Sequence, residues 1–154
     1  MRNQPMLSLK KATRRKISSA AKVVCVDDNE FVLEILDWYL ESQGYKVVQC
    51  SNPSLALAII EREGADAVTL DFEMPVMDGA AVAVAIKSKI PQLPIVMFSG
   101  SSEIPQQTLD LVDRFVSKDA VNGFAAVANA LNSVLAERGM RTSVRQAVAG
   151  QKIA

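Results

Sequence analysis

Polar residues follow four short apolar runs of the chain, at points where the strands of a buried sheet would end. In chain order these residues are Asp27, Asp28, Asp71, Ser99 and Lys118. Short apolar runs of this kind indicate buried parallel strands, and an open parallel sheet gathers the carboxyl ends of its strands at one edge. Three carboxylates, a hydroxyl and an ammonium would then converge, which predicts a phosphoryl-transfer site built around a cation.

The acidic residues predict a metal site. Asp27 and Asp28 follow one strand and Asp71 follows another. The pair Asp28 and Asn29 could equally cap a helix, which is the commoner role for such a pair. Carboxylates that are brought together must be protonated, paired or metal-bound, and Mg²⁺ accepts one or two carboxylates together with a phosphoryl oxygen. We therefore expect Mg²⁺ at this edge.

Asp71 is also a candidate nucleophile, because an aspartate can form an acyl phosphate when a cation neutralises the incoming group. Lys118 could supply that charge on its flexible stem, although alone it would be an ordinary surface lysine. Ser99 could donate its hydroxyl to a phosphoryl oxygen, although a serine before a glycine is first of all a turn residue. The three residues are informative only together.

Strand and helix signals alternate five times along the chain. The predicted strands are Lys22–Val26, Lys46–Cys50, Ala67–Leu70, Ile95–Ser99 and Arg114–Ser117. The predicted helices cover residues 29–42, 53–63, 79–89, 106–111 and 121–137. In the first of them we expect Phe31, Ile35 and Trp38 to form one buried stripe. The residues that broaden this stripe are Val32, Leu36, Tyr39 and Leu40, and the acidic residues Glu30, Glu34, Asp37 and Glu41 should face water. This alternation predicts an α/β fold, a doubly wound parallel sheet of five strands with helices on both faces.

Composition sets broad limits. The 154 residues are 49% apolar, enough for one domain with a core. No apolar run reaches the roughly 20 residues of a membrane span, so we expect no membrane insertion and a cytoplasmic location. Cys25 and Cys50 fall in predicted strands, which favours reduced core thiols. The chain contains no histidine, so any phosphohistidine must come from a partner.

Charge is segregated along the chain. Residues 1–22 hold seven cations and no acid, whereas residues 23–138 hold 7 Lys or Arg and 17 acids, a net charge of −10. We expect a basic flexible leader over residues 1–20, one domain over residues 21–138 and a loosely structured basic tail over residues 139–154, with Gly139 ending the last helix. For the leader, a plain solvated tail is favoured over a nucleic-acid arm, since no aromatic residue is interleaved.

At these residues the sequence resembles the receiver domain of two-component response regulators, and is similar to the single-domain, chemotaxis-type members. The matching segments are Val26-Asp27-Asp28, Leu70-Asp71, Met74-Pro75-Val76-Met77-Asp78-Gly79, Phe98-Ser99-Gly100 and Phe115-Val116-Ser117-Lys118. They occur in the family's order, and the resemblance covers about residues 21 to 138. It implies a flavodoxin-like receiver fold with strand order 2-1-3-4-5.

The resemblance also implies a role for each site residue. Asp71 corresponds to the phosphoacceptor. Asp28 corresponds to a direct Mg²⁺ ligand, Asp27 to an acid acting through bound water, and Glu73 to a main-chain carbonyl ligand. Lys118 would pair with the phosphoryl group. Ser99 and Phe115 would be switch residues, since a phosphoryl group offers charge-assisted bonds to the state in which the hydroxyl and the ammonium reach it.

The implied function is a signalling receiver that accepts a phosphoryl group from a sensor histidine kinase or a histidine phosphotransfer protein. Such a chain phosphorylates and dephosphorylates itself as a switch and is not a turnover enzyme. Its output protein is unknown, and relay and effector roles are both open. Two departures from the family stand out: Asp119 replaces the usual proline after Lys118, and the segment from Ser99 to Phe115 is about one helical turn short.

Three alternatives remain. The chain could be an interaction module whose fold persists without phosphorylation, although the complete site argues against this. It could be a nucleic-acid-associated regulator that uses the basic leader. A two-aspartate hydrolase is disfavoured because Glu73 stands where such an enzyme needs an aspartate. The helix segments 80–86 and 120–136 contain no charged residue. This composition indicates either that alanine is used as a good helix former, or that the helices present an apolar face for docking or for a homodimer.

Overall fold

The structure is a computed structural model that describes the backbone of residues 20–151 and the side chains of residues 20–139. Its strands are β1 Lys22–Val26, β2 Lys46–Cys50, β3 Ala67–Leu70, β4 Ile95–Ser99 and β5 Arg114–Ser117. Its helices are α1 Glu30–Ser42, α2 Ala56–Glu63, α3 Gly79–Lys89, α4 Gln106–Leu111 and α5 Gly123–Gln151. A single 3₁₀ turn, Pro53–Leu55, leads into α2, with the Asn52 side chain as its cap.

The five strands form one parallel sheet in the order β2-β1-β3-β4-β5, which confirms the predicted fold. Every residue of β3 and of β4 is buried, because helices cover both faces of the central strands. The order also places β1 beside β3, with Val26 opposite Leu70. The residues that follow these two strands are therefore neighbours.

The core has one half on each face of the sheet. On one face α1 and α5 pack through Leu33, Leu36, Leu131 and Val134. On the other face α2 and α3 pack through residues that include Ile60, Val82 and Ile86. Cys25 and Cys50 are buried and form no disulfide, as predicted. Burial raises the pKa of the Cys25 thiol to about 12.

The predicted buried face of α1 was right for Leu36 and Leu40 but wrong for Phe31 and Trp38. Leu33, Leu36 and Leu40 face the sheet, whereas Phe31 is 68% exposed and Trp38 is 72% exposed. Both stripes have helical spacing, so periodicity alone could not choose between them. The three leucines meet the apolar face of β1, and this packing leaves the aromatic side chains on the outside.

The predicted end of the last helix was also wrong. The helix continues through Gly139 to Gln151, so residues 140–151 are helical and not loosely structured. Gly139 does not adopt the left-handed conformation of a helix-ending glycine, which in this chain is found at Gly44 and Gly64. Since no proline follows Gly139, helix propagation is not interrupted there. The predicted leader, residues 1–20, lies outside the described residues except for Ala20.

Candidate functional site

The carboxyl ends of four strands bring the predicted residues together. Asp27 follows β1, Asp71 follows β3, Ser99 ends β4 and Lys118 follows β5. Backbone hydrogen bonds extend the ladders to this point, since the Asp71 N–H donates to the Val26 carbonyl at 2.9 Å. Asp27, Asp71 and Ser99 are 2%, 5% and 1% exposed. Such burial is unusual for carboxylates and requires compensating partners.

Three carboxylates form the acidic cluster. One oxygen each from Asp27, Asp28 and Asp71 lies within 4.8 Å of the others. Asp28 is exposed, and the structure gives its carboxylate no hydrogen bond or ion pair among the described residues. The cap of α1 is Asn29, whose side-chain oxygen accepts from the N–H groups of Phe31 and Val32. The capping role expected for this pair is therefore taken by Asn29, and the metal role of Asp28 stays a prediction.

Lys118 bridges the two buried aspartates. Its Nζ lies 2.6 Å from Asp27 Oδ2 and 3.4 Å from Asp71 Oδ2. The ammonium also lies 5.8 Å from the centre of the Phe98 ring, close enough for a cation–π contact. The second Asp27 oxygen accepts the Asn29 N–H at 2.9 Å. Each oxygen of the Asp27 carboxylate thus already has one partner, and the ammonium remains within reach of the Asp71 carboxylate.

Opposing influences act on the pKa of the Asp71 carboxyl group. Burial raises the pKa of the Asp71 carboxyl group above its ordinary value, and the negative charge of Asp27 raises it further. The positive charge of Lys118 and a hydrogen bond from Ser99 act in the opposite direction but do not cancel the effect. The ionised form of Asp71 is therefore disfavoured in the folded protein, and a further cation at this edge of the sheet would stabilise it.

The backbone after Asp71 is fixed by the start of α3. A Cβ atom on Gly79 would lie 2.3 Å from the Asp71 carbonyl oxygen, so only glycine allows this approach. The Gly79 N–H donates to the Phe72 carbonyl at 2.8 Å, and the Asp78 carboxylate caps α3 through the Ala81 N–H at 3.0 Å. These contacts hold Asp71 between β3 and the helix N-terminus.

The turn between these contacts is strained. Val76 has φ of 71°, and the Met77 N–H donates to the Pro75 carbonyl at 2.8 Å, so Val76 is the centre of a γ-turn. The Val76 side chain is fully exposed. A β-branched residue in the left-handed region is a genuine outlier. Neither this strain nor the close approach of Gly79 could be derived from the spacing of polar residues, although both lie in a segment singled out by its sequence.

The two remaining predicted residues, Glu73 and Phe115, make no side-chain hydrogen bond or ion pair among the described residues. Glu73 is exposed two positions after Asp71, and the role of its carbonyl stays a prediction. Phe115 lies on β5 opposite Met97 and is 42% exposed. Sequence reasoning gave Phe98 no individual role, although its ring underlies the Lys118 ammonium. Its position just before Ser99 in a buried strand was the available signal.

Comparison with known proteins agrees with the family that the sequence resembles. The family model for the response regulator receiver domain matches residues 23–122, more than half of the chain. A 94-residue segment, 61% of this chain and 11% of the relative, is 32% identical to the autoinducer 1 sensor kinase/phosphatase LuxN of Vibrio campbellii. The chain spans between 11% and 38% of the length of the first curated relatives it matches.

Solved structures show the same fold. A CheY-like receiver domain protein of Methanospirillum hungatei superposes with a TM-score of 0.74 at 21% identity, covering 80% of this chain and 99% of that one. The response regulator TrrA of Thermotoga maritima, crystallised in complex with Mg²⁺ and BeF, superposes with a TM-score of 0.69 at 25% identity, covering 74% and 98%. The chain belongs to the response regulator receiver domain family.

No helix in the described part of the chain is long and apolar enough to cross a membrane.

Proposed function

We propose that this receiver accepts a phosphoryl group on Asp71 from a phosphohistidine of a partner protein. The observation that supports this best is the juxtaposition of the buried Asp71 carboxylate with two further aspartates and the Lys118 ammonium. In the transfer, an Asp71 carboxylate oxygen forms the new P–O bond as the P–N bond of the donor breaks, and the imidazole leaves. The donor would belong to a sensor histidine kinase or a histidine phosphotransfer protein.

The donor set suits Mg²⁺. The three carboxylates lie within 4.8 Å of one another and are hard oxygen ligands of the kind that Mg²⁺ prefers. Asp28 is exposed and has no hydrogen bond or ion pair among the described residues. Asp27, Asp28, Asp71 and the Glu73 carbonyl would hold the ion. When bound, Mg²⁺ would neutralise charge on the phosphoryl oxygens. Lys118, already 3.4 Å from Asp71, would pair with the same group from the β5 side.

Ser99 and Phe115 would report the modification. The Ser99 hydroxyl is buried beside Asp71, and a phosphoryl group on Asp71 would offer it an acceptor oxygen. Movement of Ser99 toward that oxygen would make room for the half-exposed Phe115 ring to turn inward. The result is a shift in a pre-existing equilibrium that changes partner binding in the cytoplasm. An unphosphorylated interaction module is the competing function.

The test is intact-mass measurement after incubation with MgCl₂ and a small phosphodonor such as acetyl phosphate, and separately with a phosphorylated histidine kinase. We expect one added phosphoryl group in the wild type and none in Asp71→Asn. Asp28→Ala should lose labelling, whereas the neighbouring cap variant Asn29→Ala should keep it. Absence of labelling in the wild type with both donors would favour the unphosphorylated module.

A further inference from the structure

The Lys118 ammonium has two carboxylates within reach. Its Nζ lies 2.6 Å from Asp27 Oδ2 and 3.4 Å from Asp71 Oδ2, and the side chain is 22% exposed. A lysine side chain is long and flexible, so fixing it costs conformational entropy. Because the ammonium is a compact charge whose donors rotate, two neighbouring carboxylates do not define a single position for it.

A third contact is made by the ring of Phe98. The ammonium lies over this ring, 5.8 Å from its centre, which is within the distance at which an aromatic ring attracts a cation. The main chains are joined beside this contact, since the Lys118 N–H donates to the Ser99 carbonyl at 3.0 Å. The lysine stem therefore starts next to the residue that follows Phe98, and its charged end lies over the Phe98 ring.

The Phe98 ring is itself held in place. It is 3% exposed and meets the Phe124 ring of α5 edge to face, with 5.5 Å between the ring centres and 64° between the ring planes. A Cβ atom on Gly123 would lie 3.4 Å from one ring carbon of Phe98 and 3.3 Å from the Ser117 carbonyl oxygen, so the start of α5 also lies close to the ring. Strand β4 and the first turn of α5 thus fix the position of the ring.

An aromatic ring suits this contact because of its charge distribution. Its face attracts a cation, but the ring carries no net charge and takes no proton from the ammonium. The ammonium therefore keeps its full charge for an anionic partner. A carboxylate in the same place would compete with that partner. The attraction is also stronger here than at an exposed site, since Phe98 is buried and Lys118 is mostly buried.

We propose that Phe98 is a positioning residue, whose ring holds the Lys118 ammonium at the carboxyl edge of the sheet beside Asp71. Phe98 touches no reacting atom and acts through Lys118. Its effect on the reaction rests on the proposed function: a phosphoryl group that arrives on Asp71 meets an ammonium already in place, which makes the transfer faster. The holding of the ammonium does not itself require phosphorylation.

The test changes the charge distribution of the ring and leaves its shape nearly unchanged. Phenylalanines that carry one, two or three fluorine atoms replace Phe98 in the full chain, because fluorine withdraws electron density from the ring face and weakens its attraction for a cation stepwise. The matched control places the same series at Phe124, whose ring contacts Phe98 and no cation among the described residues. Circular dichroism melts verify that each variant is folded.

The first measurement needs no phosphoryl chemistry. In protein that carries ¹³C-labelled lysine, NMR relaxation gives the order parameter of the Lys118 ε-methylene group, whose signal is identified by its loss in Lys118→Arg. We expect the order parameter to fall with each added fluorine at Phe98, toward the value of the exposed Lys46, and to stay constant in the Phe124 series. A constant order parameter in the Phe98 series would overturn the proposal.

The second measurement is the rate constant of labelling by acetyl phosphate with MgCl₂, followed by intact mass. We expect it to fall about fivefold between the unmodified and the trifluorinated ring at Phe98 and to stay unchanged in the Phe124 series. A falling order parameter with an unchanged rate constant would overturn the role in phosphoryl transfer. If neither donor labels the wild type, the proposed function fails, and the order parameter alone decides whether Phe98 positions Lys118.

Discussion

Asp71 is held in an environment that opposes its ionised form. Its carboxyl group is 5% exposed, and burial and Asp27 raise its pKa above the ordinary value of 3.8. Between that ordinary value and the raised pKa, the folded protein binds more protons than the unfolded chain. The favourable contribution of the protonated group is therefore complete below pH 3.8 and is lost as the pH rises through the folded pKa.

Replacing Asp71 by asparagine should consequently stabilise the domain at neutral pH, because it removes a buried charge while Lys118 keeps its 2.6 Å contact with Asp27. Urea unfolding of Asp71→Asn and wild type measures this, and the difference should shrink as the pH falls to the ordinary pKa of Asp71. Glu103→Gln, an exposed acid, serves as the control. A less stable Asp71→Asn at neutral pH would show that attraction by Lys118 outweighs burial.

Val76 stores strain at a fully exposed position. Asparagine tolerates a φ of 71° better than a β-branched residue, so Val76→Asn should raise the free energy of unfolding by about 1 kcal/mol. Val121→Asn is the matched control, since Val121 is 91% exposed but does not have a positive φ. Chemical denaturation of both variants gives the comparison. Equal effects of the two substitutions would exclude strain at Val76.

At the scale of elements, the strands were predictable and the helix surfaces were not. All five strands have the predicted bounds, because buried parallel strands are continuous apolar runs interrupted by polar ends. Helix α1 contains more apolar residues than one face can hold, so its orientation depends on which of them meet the sheet. Leu33 is buried and Phe31 is exposed because Leu33 packs against the sheet, and no local sequence pattern encodes this tertiary contact.

The same distinction applies to Gly139, where a glycine expected to end a helix lies inside it. A Cβ atom there would meet nothing within 4 Å, so Gly139→Ala should stabilise the protein by about 0.5–1 kcal/mol and increase its helicity. Gly64→Ala should instead destabilise it by about 1 kcal/mol, because Gly64 has φ of 72°. Circular dichroism during thermal unfolding measures both. If Gly139→Ala instead destabilises the protein, Gly139 ends the helix as the sequence predicted, because alanine is unfavourable in the left-handed conformation of such an end.

At the scale of the whole molecule, the site depends on strands that are distant in sequence. The polar ends of the strands made its residues predictable, since parallel topology gathers them at one edge. The side-chain contacts among these residues were less predictable. The sequence could not show that Lys118 lies closer to Asp27 than to Asp71, or that Asn29 takes the cap. Nor could it show that Asp28 has no hydrogen bond or ion pair in the part of the chain that the structure describes. Such choices depend on side-chain geometry after folding.

Mg²⁺ should stabilise the entire domain, because a ligand that binds only the folded state shifts the unfolding equilibrium. At a concentration of one hundred times Kd the expected gain is about 2.7 kcal/mol. Thermal unfolding with MgCl₂ and with EDTA measures it. Asp28→Asn should lose most of the gain, whereas Glu30→Gln, a nearby exposed acid outside the cluster, should keep it. A full gain in Asp28→Asn would place the ion elsewhere.

The position of Lys118 after an edge strand has a kinetic consequence. Among the strands of residues 20–151, β5 pairs only with β4, and Lys118 reaches Asp27 across 91 positions of sequence. An edge strand can open without disturbing the interior of a sheet, so amide hydrogens of β5 should exchange faster than those of β1 and β3. Each such opening would withdraw the ammonium and leave the carboxylates uncompensated. The fraction of time for which the site is complete is then set by the local unfolding of its outermost strand.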